Sequence, residues 1–283
     1  MKEITIFQQE QEIERLSVQE ELFLPYEQPV YQKIFSQPRQ FILDIGSNDG
    51  RKLVKRFANT QTQKIIGLEC NSELVKQART NCQDSRFSFF NCDVEDEHFM
   101  SCIHQIMADE NIPAFDIIHL SFVLMHLRDA TSLLSKLQPL LAHSGVLMVI
   151  DVNDDQSNVI PDKFNLFSEF KQLLCCDPYA GDRKCGAKLP ALLSKLGFKN
   201  ITLEREKIAA YSTEIQKKQN MFAIFCSYLQ DDLKILLKED ATNLDYLRCK
   251  DWLKQNYEIL GNNILSKETL FTIGVSIITC TGD

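Results

Sequence analysis

The sequence predicts an α/β fold built on a mostly parallel sheet. Three observations carry this. Apolar runs that end in an acid or a turn alternate with segments of helical spacing, the pattern of right-handed strand–helix–strand units. One junction, Phe41-Ile-Leu-Asp44-Ile-Gly46-Ser-Asn-Asp49-Gly50, places two of the chain's ten glycines in a five-residue turn. And 283 residues at 44% hydrophobic and 25% charged suffice for one large domain, or one domain with an appendage.

Taken in order, residues 1–35, with Tyr26 and Tyr31, read as one or two helices able to cover a ligand. Phe41–Asp44 is a first strand ending in an acid, and a helix begins near Arg51. Glycine in the intervening turn permits positive φ and removes the Cβ that would block a ligand. Lys64-Ile-Ile-Gly67-Leu-Glu69 is a second strand, and Ser72–Arg79 a helix. Phe87–Val94 is a third strand ending in Asp93, and Phe115–Asp129 is a fourth strand running into a helix start. Leu133–Leu141 has helical spacing, His143-Ser-Gly145 reads as a stop, and Val146–Asn153 is a fifth strand. Residues 153–186 form a long excursion with one helix around 163–176. Asn200–Arg205 is strand six. Glu214–Lys238 is one amphipathic helical stretch, a second helix runs over about 244–260, and Thr269–Cys280 is the last strand.

The first turn points to a ligand. Its pattern, Asp44-x-Gly46-x-x-x-Gly50, lacks the third glycine of the G-x-G-x-x-G loop that faces a pyrophosphate. A carboxylate there repels a pyrophosphate and suits a cationic group such as an amino-acid ammonium. The motif by itself also allows a strand–turn–helix corner with no ligand. Glu69, roughly 20 residues further on, stands where an acid accepts hydrogen bonds from a ribose diol.

The ordered series Leu43-Asp-Ile-Gly-Ser-Asn-Asp-Gly, Gly67-Leu-Glu, Asn91-Cys-Asp-Val, Phe115-Asp-Ile-Ile and Pro139-Leu-Leu-Ala-His-Ser-Gly145-Val-Leu resembles class I S-adenosylmethionine-dependent methyltransferases. The subgroup it most resembles is that of bacterial small-molecule methyltransferases. Glu14-Arg15-Leu-Ser-Val-Gln19-Glu, Val123-Leu-Met-His126-Leu-Arg-Asp129 and Leu189–Phe198 look like further stretches of that subgroup. The resemblance covers residues 12–206 well and the rest loosely. It departs from the family at Asn48, where the middle glycine of the loop is expected; Asn is the non-glycine residue that best tolerates the left-handed region.

The resemblance implies a Rossmann-like, seven-stranded, mostly parallel sheet with helices on both faces, its last strand antiparallel and a helical lid inserted between strands six and seven. The implied division is 1–35, an N-terminal helical cap; 36–206, the cofactor-binding core; 207–265, the lid; and 266–283, the final strand. S-adenosylmethionine is the implied cofactor. Asp44 and Gly46 would lie under its methionine moiety, with Ser47, Asn48 and Gly50 shaping the loop. Glu69 would hold the ribose and Cys70 would pack beside the adenine. Asp93 would take the adenine amine and Val94 its neighbouring ring nitrogen through the backbone. Ser121 and Phe122 would lie near the sulfonium and the acceptor.

Net charge is −8 and the isoelectric point about 5.3. A protein that grips phosphates needs basic surface, so the expected acceptor is a small molecule and not nucleic acid. Ten scattered cysteines, no signal-peptide core and no apolar run near the ~20 residues of a membrane span indicate a reducing cytoplasm. No C-x-x-C is present, so no metal is expected. A homodimer is compatible with the resemblance. A sulfonium methyl is already activated, so alignment and exclusion of water carry most of catalysis. His126 and Asp151 are the candidate acid–base groups, with His119 and Asn153 nearby in sequence. Two other readings remain: a methyltransferase-fold binding protein without activity, and a nicotinamide-dependent oxidoreductase.

Overall fold

The computed structural model describes the backbone of residues 10–283 and the side chains from residue 14 onward. The first nine residues of the expected 1–35 cap therefore lie outside the described residues. Two compact units interleave along the chain. One comprises Glu27–Asp151, Cys185–Arg205 and Ser276–Asp283; the other comprises the described residues up to Tyr26, Val152–Lys184 and Glu206–Val275.

The first unit carries the parallel sheet. Strand β1 (Phe41–Ile45) pairs in parallel with β2 (Lys64–Glu69) on one side and β4 (Phe115–Ser121) on the other. Strand β3 (Phe87–Asn91) pairs with β2, and β5 (Leu141–Val152) with β4, again in parallel. Their near-continuous apolar runs are explained by burial: Ile42, Leu43, Ile65, Ile66, Ile117, Ile118 and Val149 have no exposed surface. Helices α2 (Arg51–Phe57), α3 (Ser72–Asn81), α4 (Phe99–Asp109) and α5 (Ala130–Leu137) connect these strands. Asn71 caps α3 by accepting from the amides of Glu73 and Leu74, and Asp129 caps α5 through Ser132. The helix expected over 133–141 stops at Leu137 and gives way to a 3-10 turn, because Pro139 lacks the amide needed to continue it.

The expected stop at His143–Gly145 lies inside β5. Phe115 pairs with Leu141 and Ile117 with Val146, so the intervening residues of β5 bulge out. Ser144 takes a φ of 59°, and a Cβ on Gly145 would lie 2.8 Å from the Ala142 carbonyl oxygen and 2.9 Å from that of Phe115. The turn residues mark a bulge, not a strand boundary.

Strand β6 (Asn158–Ile160), β7 (Lys199–Ala210) and β8 (Leu270–Thr281) complete the sheet. The order is β3-β2-β1-β4-β5-β8-β6, with β7 also paired to β8. Eight strands are thus present among the described residues where seven were expected. The extra one, β6, is three residues long and antiparallel to β8, too short to show a pattern in sequence.

The second unit is mainly helical. It holds α6 (Leu166–Leu173), α8 (Ile215–Phe222), α9 (Tyr228–Glu239), α10 (Leu244–Leu265) and the first part of α1 (Glu10–Ile34). Between the two units' elements in sequence lies α7 (Cys185–Lys195), which belongs to the first unit. The stretch expected as one helix over 214–238 is helical throughout but passes through a π-turn at Ala223–Ser227. Phe167 packs against Phe225 and Phe271, each at 5.6 Å between ring centroids. Among the described residues no helix is long and apolar enough to cross a membrane.

Candidate cofactor site at the strand ends

The carboxyl ends of β1, β2, β3 and β4 share one edge of the first unit, where an open α/β sheet binds its ligands. The register aligns them: Ile45 sits beside Leu68 and Leu120, and Glu69 beside Asn91. The sequence-predicted site residues belong to this unit, with the exception of Asn153.

The turn after β1 owes its shape to backbone bonds and left-handed residues. The amides of Gly46 and Ser47 both donate to the Leu68 carbonyl at 2.9 Å, and Gly50 donates to Ser47 at 3.1 Å. Gly46, Asn48 and Gly50 have φ of 76°, 51° and 77°. A Cβ on Gly46 would meet Val123 Cγ2 at 2.6 Å, so the turn lies directly against the segment after β4. Asn48 adopts left-handed geometry, which asparagine tolerates best among the non-glycine residues. Gly50 is the N-cap of α2.

Glu69 organises the next layer. Its Oε2 accepts from the Asn48 amide at 3.1 Å, and Oε1 accepts from the Asn71 amide at 3.0 Å. The Cys70 thiol lies 3.3 Å from Oε1, and desolvation, aided by the Glu69 charge, pushes its pKa up to about 12. A carboxylate has about four lone-pair sites, so Glu69 retains acceptor capacity for a diol. Asn91 donates to the carbonyls of Glu69 and Cys70, and the Cys92 amide donates to Glu69 O, which brings the β3 end alongside. Asp93 is half-buried, its Oδ1 accepting from the Glu95 amide, and Val94 is buried.

Ser121 ends β4 and Phe122 follows it. Phe122 donates its amide to the Ile150 carbonyl at 2.8 Å and has a φ of 55°, unusual for a bulky residue and a mark of local strain. Asp151 is fully buried, and its Oδ2 accepts from the Met125 amide at 3.1 Å, fixing the loop after Phe122. His126 is exposed at the end of a 3-10 turn, with its amide on the Val123 carbonyl. Asn153 belongs to the other unit, where its amide donates to Gly274.

Sequence reasoning placed Asp44 but not its partners. Asp44 Oδ1 lies 2.5 Å from His119 Nδ1, and the two residues are direct neighbours in the β1–β4 register. His119 Nε2 lies 2.9 Å from the Tyr31 hydroxyl. Tyr31 donates to Glu27 at 3.3 Å, and Arg56 donates to both Glu27 oxygens at 2.8 and 3.1 Å. The signal that could have revealed this is register: once β1 and β4 are adjacent, Asp44 and His119 share a face.

The residues fit a nucleoside bearing an amino-acid tail. Ser47 Oγ is buried within the turn with no hydrogen-bond partner, a polar atom suited to a ligand. Asp44 and Glu69 present acids at two adjacent strand ends, and the left-handed turn between them leaves no side chain at Gly46.

A family model described as a methyltransferase domain matches residues 38–180. The chain is similar to the YcgJ protein of Bacillus subtilis, at 15% identity over 88% of this chain and 95% of that one, with a TM-score of 0.50. It is also similar to the cyclopropane synthase MmaA2 of Mycobacterium tuberculosis, at 12% identity over 87% and 79% of the two chains, TM-score 0.49. A methyltransferase of Geobacter sulfurreducens in complex with S-adenosyl-L-homocysteine aligns at 12% identity over 90% of each chain, TM-score 0.48. The likeness to the YcgJ protein, at 15% identity and a TM-score of 0.50, is one of fold. No curated protein matches the sequence.

Proposed function

The chain belongs to the methyltransferase-domain family, and from that premise we propose that it transfers a methyl group from S-adenosylmethionine to a small-molecule acceptor. The observation that carries the reading is the left-handed Gly46–Gly50 turn set between Asp44 and Glu69 at adjacent strand ends. When bound, S-adenosylmethionine supplies an activated methyl group and a built-in leaving group. The chain's own task is to hold and to shield. Asp44 and Ser47 would take the amino-acid end, Glu69 the ribose hydroxyls, and Asp93 with Val94 the adenine edge. Ser121 and Phe122 would border the reacting groups, and the strained φ of Phe122 supports a placement held for function.

The acidic balance of the chain, −8 at neutral pH, supports a small acceptor over nucleic acid. Ten scattered cysteines support a reducing cytoplasm as its setting. The division at residues 35, 206 and 265 is part of the same reading, with the aromatic-bearing helices of 207–265 assigned to acceptor selection.

Titration calorimetry with S-adenosylhomocysteine is the direct test. Wild-type protein should bind it. Glu69→Ala should weaken binding by about 1–3 kcal/mol, the scale of a lost hydrogen bond to a charged group. Binding of NAD with no response to S-adenosylhomocysteine would replace this reading with that of an oxidoreductase.

A further inference from the structure

Asp44, which the cofactor reading uses, continues into a buried polar chain of four side chains that it does not use: His119, Tyr31, Glu27 and Arg56. His119 and Glu27 have no exposed surface, and Asp44 and Tyr31 are 6% and 7% exposed. Buried polar groups are costly unless paired, and a fully satisfied network fixes one arrangement of the elements that carry it.

The connections follow a closed path. Asp44 is the penultimate residue of β1, just before the Gly46–Gly50 turn. Its Oδ1 is engaged by His119 on β4 at 2.5 Å. Ring nitrogen Nε2 lies 2.9 Å from Tyr31 on α1. Glu27, one turn earlier on α1, accepts from Tyr31 and is held at both oxygens by Arg56. Arg56 lies on α2, the helix that Gly50 caps. The path thus leaves the turn at one end and returns at the other. Phe57 packs edge-on to both rings, 5.4 Å from Tyr31 and 6.1 Å from His119, so neither can swing away.

Asp44 is a carboxylate and can only accept, so His119 Nδ1 carries the proton of that bond. Among the described residues Oδ1 is thereby committed, while Oδ2 has no hydrogen bond within the protein. We propose that His119 is a positioning residue for the cofactor: through Tyr31 and Glu27 it locks the Asp44 carboxylate so that Oδ2 faces the cationic amino-acid end of the ligand. This rests on the cofactor reading above. It extends it by assigning cofactor affinity to a histidine on a neighbouring strand and to Tyr31 and Glu27 of α1, none of which is among the cofactor-binding residues of that reading.

Three variants test it by calorimetry with S-adenosylhomocysteine, alongside thermal unfolding. His119→Leu removes the donor to Asp44 and should lower affinity about tenfold or more. His119→Asn offers an amide donor near the Nδ1 position and should restore affinity to within about threefold of wild type. Tyr31→Phe deletes a single oxygen and should weaken binding about threefold while leaving the fold intact. If the leucine variant does not fold, the asparagine and phenylalanine variants still carry the comparison. Leucine and asparagine variants that lose affinity equally would overturn the proposal, since packing alone would then explain the loss. Variants that all bind as wild type would also overturn it. Wild-type protein that takes no S-adenosylhomocysteine would overturn the cofactor reading itself, and this inference with it.

Discussion

Glu27 shows how strongly one residue can depend on its surroundings. Burial alone would raise its pKa, yet the Arg56 guanidinium beside it more than offsets this and holds the carboxyl below its usual 4.5. A group depressed in the folded state stabilises fully above its unfolded value. That contribution is lost as pH falls through the lowered folded value. The Glu27–Arg56 contribution should therefore be constant from neutral pH down to about 4.5 and decline only in more acid solution. Glu27→Gln should cost about 3–5 kcal/mol at neutral pH, the scale of an uncompensated buried charge left on Arg56. Its unfolding free energy should fall less steeply with acid than that of wild type. Parallel acid-denaturation curves for the two proteins would show that Glu27 is not the group responsible. At this scale the sequence displayed the acids but not their partners. Asp44 and Glu69 end apolar runs, which any reading along the chain registers. His119 and Arg56 act across strands and helices, at sequence separations of 75 and 29 from the groups they hold.

Elements were legible wherever a period persisted over several residues. β1, β2 and β4 are near-continuous apolar runs because both faces of the parallel sheet are buried. The periodicity of 214–238 survives the π-turn at Ala223–Ser227, since an extra residue per turn shifts the apolar stripe without removing it. Gly145 misled because glycine punctuates bulges as readily as loops. Its role makes a clear prediction. A Cβ there would press on two carbonyl oxygens within 3 Å, both belonging to backbone that cannot rotate away. Gly145→Ala should destabilise the protein by about 1–3 kcal/mol through overpacking. Chemical unfolding of the variant would read this directly, and an unchanged midpoint would mean that the bulge relaxes freely.

For the whole molecule, the decisive question is whether the fold supplies an acid–base group or only a shaped site. Asp151 is fully enclosed with one oxygen on the Met125 amide, which makes it an anchor for the loop after β4. His126 stands exposed at the end of its turn, and exposure leaves a proton acceptor in competition with water. The architecture instead concentrates its constraint on placement: a left-handed turn, a strained Phe122 and a buried chain that locks Asp44. Such a design lowers the barrier by alignment, which suits a reaction whose leaving group is already activated. His126→Ala should then keep its fold and its affinity for S-adenosylhomocysteine and lose at most about tenfold in turnover, whereas removal of a general base costs roughly 10²–10⁴-fold. The measurement is single-turnover methyl transfer to the acceptor across a range of pH. A drop of the larger size, with the pH dependence of the rate abolished and cofactor affinity intact, would make His126 the base. Catalysis would then rest on proton transfer as well as on placement.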